Sequence, residues 1–140
     1  MLRYCLLLVT AFLVAGCNLQ VGQPSPVPTP DIPQIEFQAP ANNDSFVEGT
    51  DLTIALVAQD TGVGVARVEL LVDDLPYREV SPEVSDVVPV FTVTMNWLAE
   101  GTGYHSLTAI AYRPDGVASR PVTISILITD PNDAATTEEA

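Results

Sequence analysis

The chain reads as an all-β protein, a two-sheet antiparallel β-sandwich of about seven strands, and three observations carry that expectation. Between Ile35 and Ile128 apolar residues recur at every second position, the period of a strand with one buried face. Clusters of Asn, Asp, Gly and Pro break the pattern about every eight to twelve residues, the spacing of turns in a sandwich. After the N-terminal segment no stretch repeats at the 3.6-residue period of an amphipathic helix.

The elements follow in chain order. Met1 to Tyr4 carries one positive charge, Arg3, and Cys5 to Ala15 is an almost unbroken apolar run. Such a run is too short for a spanning helix, which needs about 20 residues. A basic start, a short apolar core and small residues at the end describe an export signal, expected as a helix ahead of the domain. The segment closes Leu13-Val14-Ala15-Gly16-Cys17. This resembles the bacterial lipobox, an aliphatic and two small residues before an obligatory cysteine. The resemblance implies cleavage between Gly16 and Cys17 and a covalent diacylglycerol on the sulfur of Cys17. Residues 1–16 are then a lipoprotein signal peptide and residues 17–34 a lipidated cysteine and linker. The protein would sit at the cell membrane, lipid-anchored, on the extracytoplasmic side.

Pro24, Pro26, Pro28, Pro30 and Pro33 punctuate the linker. Proline at nearly every second place opposes helix and sheet and favours a disordered, extended spacer. The folded domain is expected over residues 35–130. Five strands stand out. Leu52, Ile54, Leu56 and Ala58 share one face; so do Ala66, Val68, Leu70 and Val72; Phe91, Val93, Met95 and Trp97; His105, Leu107, Ala109 and Ala111; and Val122, Ile124, Ile126 and Ile128. Shorter pieces at Ile35–Phe37, Ser45–Val47 and Tyr77–Val80 fit edge strands. Residues 131–140 are polar and acidic and are expected to be a disordered tail.

Composition narrows the function. There are 18 acids against 5 bases, for a net charge of −13. All the bases are arginine, and Arg3 leaves with the signal, so the mature side chains are more acidic still. No basic patch is available for phosphates, which excludes a nucleic-acid partner. Attachment to a membrane therefore rests on the lipid and not on charge. Cys5 leaves with the signal and Cys17 takes the lipid, so no intramolecular disulfide can form. One histidine without a free thiol leaves little for a zinc site or a Cys–His nucleophile. No cofactor is expected.

Several residues merit a site hypothesis. His105 follows the Gly101–Gly103 turn and is expected to hydrogen-bond a loop, because Ser106 points to the opposite face and cannot act as its nucleophile. Trp97 continues an inward face and reads as a core anchor. Tyr77, Tyr104 and Tyr112 would form a binding patch if they share an exposed surface. Val65 to Asp73 and His105 to Ala111 resemble bacterial Ig-like domains, and the Ig-type topology which that resemblance implies gathers Asp60–Gly64, Ser81–Pro89 and Arg113–Arg120 at one end. Glu48, Asp51, Asp73, Asp74, Glu100 and Asp130 gather at the other. That acidic rim is a weak candidate for calcium, since its loops lack an ordered ligand motif. Paired acids for glycoside hydrolysis would need a cleft, which a small filled sandwich does not offer.

Ala39-Pro-Ala-Asn42, Phe46-Val-Glu-Gly49, Leu52-Thr-Ile54, Val65 to Asp73, His105 to Ala111 and the Asp115-Gly116 turn resemble the bacterial Ig-like domain of surface proteins. The resemblance runs from Pro33 to Ile128 and implies an Ig-like sandwich without a general active site. Members serve as spacers, adhesive modules and companions of wall-binding or enzymatic domains. The resulting expectation is a non-catalytic surface module for protein interaction or spacing, its partner an exported protein or wall component. The alternative is a carbohydrate- or cell-wall-binding module, with calcium dependence as an option, which an exposed aromatic cluster would favour.

Overall fold

The structure is a computed structural model and describes residues 31–134 apart from Val84. The signal segment, Gly16, Cys17, most of the linker and the last six residues lie outside the described residues.

Eight strands form: β1 (Gln34–Ala39), β2 (Ser45–Val47), β3 (Asp51–Gln59), β4 (Arg67–Val72), β5 (Leu75–Val80), β6 (Val90–Leu98), β7 (Gly103–Tyr112) and β8 (Val122–Thr129). They assemble as a three-stranded sheet, β1-β3-β6, facing a five-stranded sheet, β2-β8-β7-β4-β5. The inward set is the one the alternation predicts. Ile54, Leu56, Ala58, Val68, Leu70, Met95, Leu107, Ala109, Ala111 and Ile126 are all fully or almost fully buried. Strands β1, β3, β4, β6, β7 and β8 each turn one row of side chains into this layer, and their row-to-row packing supplies the hydrophobic stabilisation, while β5 adds only half-buried Val80. Trp97 is 7% exposed and belongs to the core, as its parity predicts.

Three features depart from the expected plan. First, not every pairing is antiparallel: β2 runs parallel to β8, with Ser45, Phe46 and Val47 beside Leu127, Ile128 and Thr129. The chain leaves the first sheet after Ala39 and joins the second without reversing, so it can only lie parallel to β8. Second, Pro33, read as linker, is a fully buried side chain. Order therefore begins before residue 35, and Asp31 is already tied to the domain. Third, residues 131–134, read as disordered tail, form a single helical turn, α1 (Pro131–Ala134). Asp130 caps it, its Oδ1 accepting from the Asn132 backbone N–H at 2.7 Å.

The turns have the chemistry their geometry needs. Asp73 and Asp74 take φ values of 50° and 63° between β4 and β5. Two successive left-handed residues make the tight hairpin turn whose twist matches its strands, and Asp tolerates that conformation. Gly64 has φ 98°, and a Cβ there would meet Val87 Cγ1 at 2.4 Å. Only glycine fits that crossing.

Candidate functional site: the two ends and the side groove

At one end, β3 finishes in Asp60 and β7 runs into Arg113. Both continue the inward parity of their strands, after Ala58 and after Ala111. Both are buried, each 6% exposed. The Arg113 Nε–H donates to Asp60 Oδ2, and Nη2 donates to Asp60 Oδ1 at 3.2 Å and to Asp31 Oδ1 at 2.9 Å. Asp60 Oδ1 also accepts the Gly62 N–H at 3.0 Å. The guanidinium bond holds the Asp60 carboxyl below its usual range, against a smaller opposing push from burial. Arg113 is driven the other way, above its ordinary value, chiefly by its bond to Asp60. The loops meet here as expected: the Asp60 N–H donates to Pro89 O at 2.8 Å, and Val65 bridges Val88.

The sequence pattern does not announce this ion pair, because Asp60 and Arg113 stand among turn residues. The signal was present: an acid and a base each occupy the next inward step of a strand that ends there.

At the other end His105 holds a loop, as its position predicts. Its Nε2 lies 2.8 Å from Gly101 O and its Nδ1 2.7 Å from Asp73 Oδ2. The Ser106 N–H donates to Asp73 Oδ1 at 2.9 Å. The imidazole packs on Trp97, with centroids 5.5 Å apart. Burial pushes His105 down, but the Asp73 bond, the Gly101 carbonyl and the Asp73 charge together raise it above its ordinary value. Burial likewise pushes Asp73 up, while the Ser106 and His105 bonds outweigh it and leave Asp73 lowered.

The other rim acids do not gather into one site. Glu48 Oε1 accepts the Gly101 N–H at 2.9 Å, and Asp51 Oδ2 accepts Asn96 Nδ2 at 3.0 Å. Asp74 and Glu100 are exposed, and Asp130 serves α1. Among the described residues no three His, Cys, Asp or Glu side chains converge on a cation-sized space. Glu48, Asp73 and Asp130 instead brace the loops and turn they flank.

The tyrosines do not share a surface. Tyr104 is 74% exposed at the start of β7, and Tyr112 lies at its other end. Eight residues of strand separate them by roughly 27 Å. Tyr112 is covered by Arg67, 3.9 Å from its ring centroid, and donates to Glu69 Oε2. Tyr77, on β5, donates to the Asn96 carbonyl of β6 at 2.9 Å and so ties the two sheets at their margin. Beside that tie runs an open groove of about 410 Å³, lined by Val80, Pro82, Val88, Phe91 and Val93 among others.

Comparison with known proteins agrees with this architecture. A solved structure of Clostridium thermocellum CbhA fibronectin(III)-like modules is similar at 25% identity and TM-score 0.60, over 72% of this chain and 48% of that one. The CARDB domain of a Pyrococcus furiosus protein, solved with two metal ions, matches at 14% identity and TM-score 0.54, over 72% of this chain and 97% of that domain. The SrpA adhesin of Streptococcus sanguinis matches at 17% identity and TM-score 0.54, over 74% of this chain and 59% of that one. This chain spans about half of the CbhA chain it matches. No curated protein matches it in sequence. The family model described as bacterial Ig domain matches residues 33–109. That match spans more than half of the sequence, and the paired sheets complete it through β8, so the chain belongs to the bacterial Ig domain family.

Proposed function

We propose that this protein is a lipid-anchored, non-catalytic Ig-like module, held at the bacterial surface to space or present a protein-binding surface. One observation carries the reading: the chain enters the domain at one end and leaves it at the other. Asp31, three residues before β1 begins, is fastened to Arg113 at the entry end. At the opposite end β8 closes with Ile128 beside Gly103 and Thr129 beside Val47. A tether from Cys17 would then face the membrane with the Arg113 end and hold the His105 end outward. The interior is filled by the core cluster, and Glu48 and Asp73 are taken up by loops. Display suits such a body better than turnover does.

The test is acylation at Cys17. Cells fed a labelled fatty acid should mark the wild-type protein and leave Cys17→Ser unmarked, with the variant unprocessed or released from membranes. A Cys17→Ser protein that is trimmed normally and stays membrane-bound would end the anchoring reading. Partner contact at the outward end is tested by charge reversal at exposed Asp74. Asp73 is unsuited to that experiment, since its carboxylate holds His105, and Arg113 is unsuited as a control because it is buried.

A further inference from the structure

Every sheet that does not close on itself ends in strands with unpaired backbone, which invite another strand. Here those strands are β1 and β6 in one sheet and β2 and β5 in the other. Three of the four are guarded. β1 lies between Pro33 and Pro40, carries Glu36 and has a register shift between Phe37 and Ala39. β2 is three residues long. The margin of β8 beyond β2 is occupied by the Asn42–Asp44 turn, which bonds Ser125 and Leu127. β5 contains Pro76, Arg78 and Glu79.

β6 has no such guard. Val90-Phe-Thr-Val-Thr-Met-Asn-Trp-Leu98 contains no charge, proline or glycine in a chain of net charge −13. Its pairing with β3 is unbroken from Val90 to Leu98. Which backbone groups are free follows from the flanking bonds. Pro89 O accepts from Asp60 N–H, and the Ala99 N–H donates to Thr50 O, so odd-numbered residues face β3. Even-numbered residues then direct N–H and C=O away from β3. The Asn96 carbonyl does so and is taken by Tyr77. Leu98 remains beyond that tie, and Val90, Thr92 and Thr94 before it, with no backbone partner among the described residues. Val90, Thr92 and Thr94 stand over the open groove, and Val90 is 51% exposed.

We infer that β6 is a self-association edge, to which the β6 of a second copy adds antiparallel with the two-fold axis beside Thr92. In that register Thr92 faces Thr92 of the second copy, and Val90 faces its Thr94. Three residues on each side then exchange about six backbone bonds, and the Tyr77–Asn96 tie is left intact. Inside, Phe91 lies opposite Val93 of the second copy, which extends the apolar floor of the groove across the axis. Charge permits a second copy here and the strand's own symmetry selects it. Two chains this acidic repel wherever their acids face one another, whereas β6 is an edge of nine residues free of charge, with Glu83 the one acid lining the groove beside it. About Thr92, Val90 exchanges places with Thr94 and Phe91 with Val93, so the edge is its own complement. Threonine opposite threonine and valine opposite threonine are favourable cross-strand neighbours. The contact is small for a permanent dimer, so it forms by co-display on a surface and reverses in dilute solution.

The test uses the full chain with Cys5→Ser and Cys17→Ser, which leaves no thiol and no lipid site. Thr92→Cys is then added, or Thr53→Cys as a control on the exposed face of β3. Oxidation should yield a disulfide dimer at least about tenfold faster for Thr92→Cys, because directly opposed strand residues lie about 5 Å apart. On the same background, sedimentation should show a concentration-dependent dimer that strengthens with salt, as screening relieves the repulsion. Thr92→Lys should remain monomeric and Thr53→Lys should dimerise, both with unchanged Trp97 fluorescence. Equal cross-linking at the two positions, a monomer at all concentrations, a dimer that weakens with salt, or a dimer unaffected by Thr92→Lys would each overturn the proposal. None of these outcomes bears on acylation.

Discussion

At the entry end a guanidinium sits on a carboxylate out of contact with water; at the far end an imidazole sits on a carboxylate whose side chain is 46% exposed. Each pair joins two strands that are far apart in sequence, and each closes the core where alternation runs out. They differ in whether either partner can be discharged near neutral pH. Arg113 does not lose its proton, and Asp60 is held below its ordinary range. His105 titrates within reach of neutral pH, with its value raised by the company of Asp73. The entry end is therefore a fixed clamp and the far end a conditional one. Burial sets what each costs to break, and proton affinity sets when it breaks.

The largest expected effect is at the clamp. Arg113→Ala leaves the Asp60 carboxylate buried and unpaired, which should cost about 3–5 kcal/mol. Urea unfolding of residues 31–134 measures it. The double variant Arg113→Met with Asp60→Leu should recover much of that loss, because removing both charges removes the desolvation burden. A double variant as unstable as the single would show that the clamp acts through shape and not charge.

Trp97→Ala comes next and concerns the far end. Removing a buried ring should cost about 3–5 kcal/mol, and some of the loss should be shared with His105, which packs on it. A double-mutant cycle with His105→Gln measures the shared part; strict additivity would separate the two side chains energetically.

The third prediction is a pH dependence. His105 has a raised value in the folded chain, so its contribution is complete below its unfolded value and is lost as pH rises through the folded one. Asp73 and Asp60 are lowered, so theirs hold above the ordinary carboxylate range and fall away as pH drops through the folded values. Unfolding free energy should thus decline from pH 6 to pH 9 in wild type and stay level in His105→Gln. A wild-type curve that is flat in that interval would remove the conditional clamp. The smallest effect is expected for Asp31→Ala. That carboxylate is largely exposed, and its bond to Arg113 should contribute less than about 1 kcal/mol.

How much of this was legible in the sequence differs by kind of interaction. Alternation is local, so the inward rows of β3, β4, β6, β7 and β8 could be read directly, down to Trp97 and Met95. The bound loop at His105 could be read from its place after a glycine turn. What the sequence did not display were contacts across long separations. The pairing of β2 with β8 depends on the chain changing sheets near Pro40, and no periodicity records that. Asp60 and Arg113 looked like turn residues because Gly62, Pro114 and Gly116 surround them. Asp73 was grouped with the rim acids because charge alone does not say which acid has a partner. Pro33 closes a proline run and reads with it as linker, although its side chain lies in the core. β5 was read two residues short, since Pro76 interrupts its pattern and an edge strand tolerates proline.

The parallel pairing of β2 with β8 has a mechanical consequence. A pull between the N-terminal tether and the C-terminus draws β2 toward the entry end and β8 toward the opposite end. Two parallel strands drawn in opposite directions slide past one another, so their bonds resist together and do not open one at a time. The three-residue ladder formed by Ser45, Phe46 and Val47 would thus act as a latch that holds under stretch. Its strength would appear as an unfolding rate under tension, a property distinct from stability at rest.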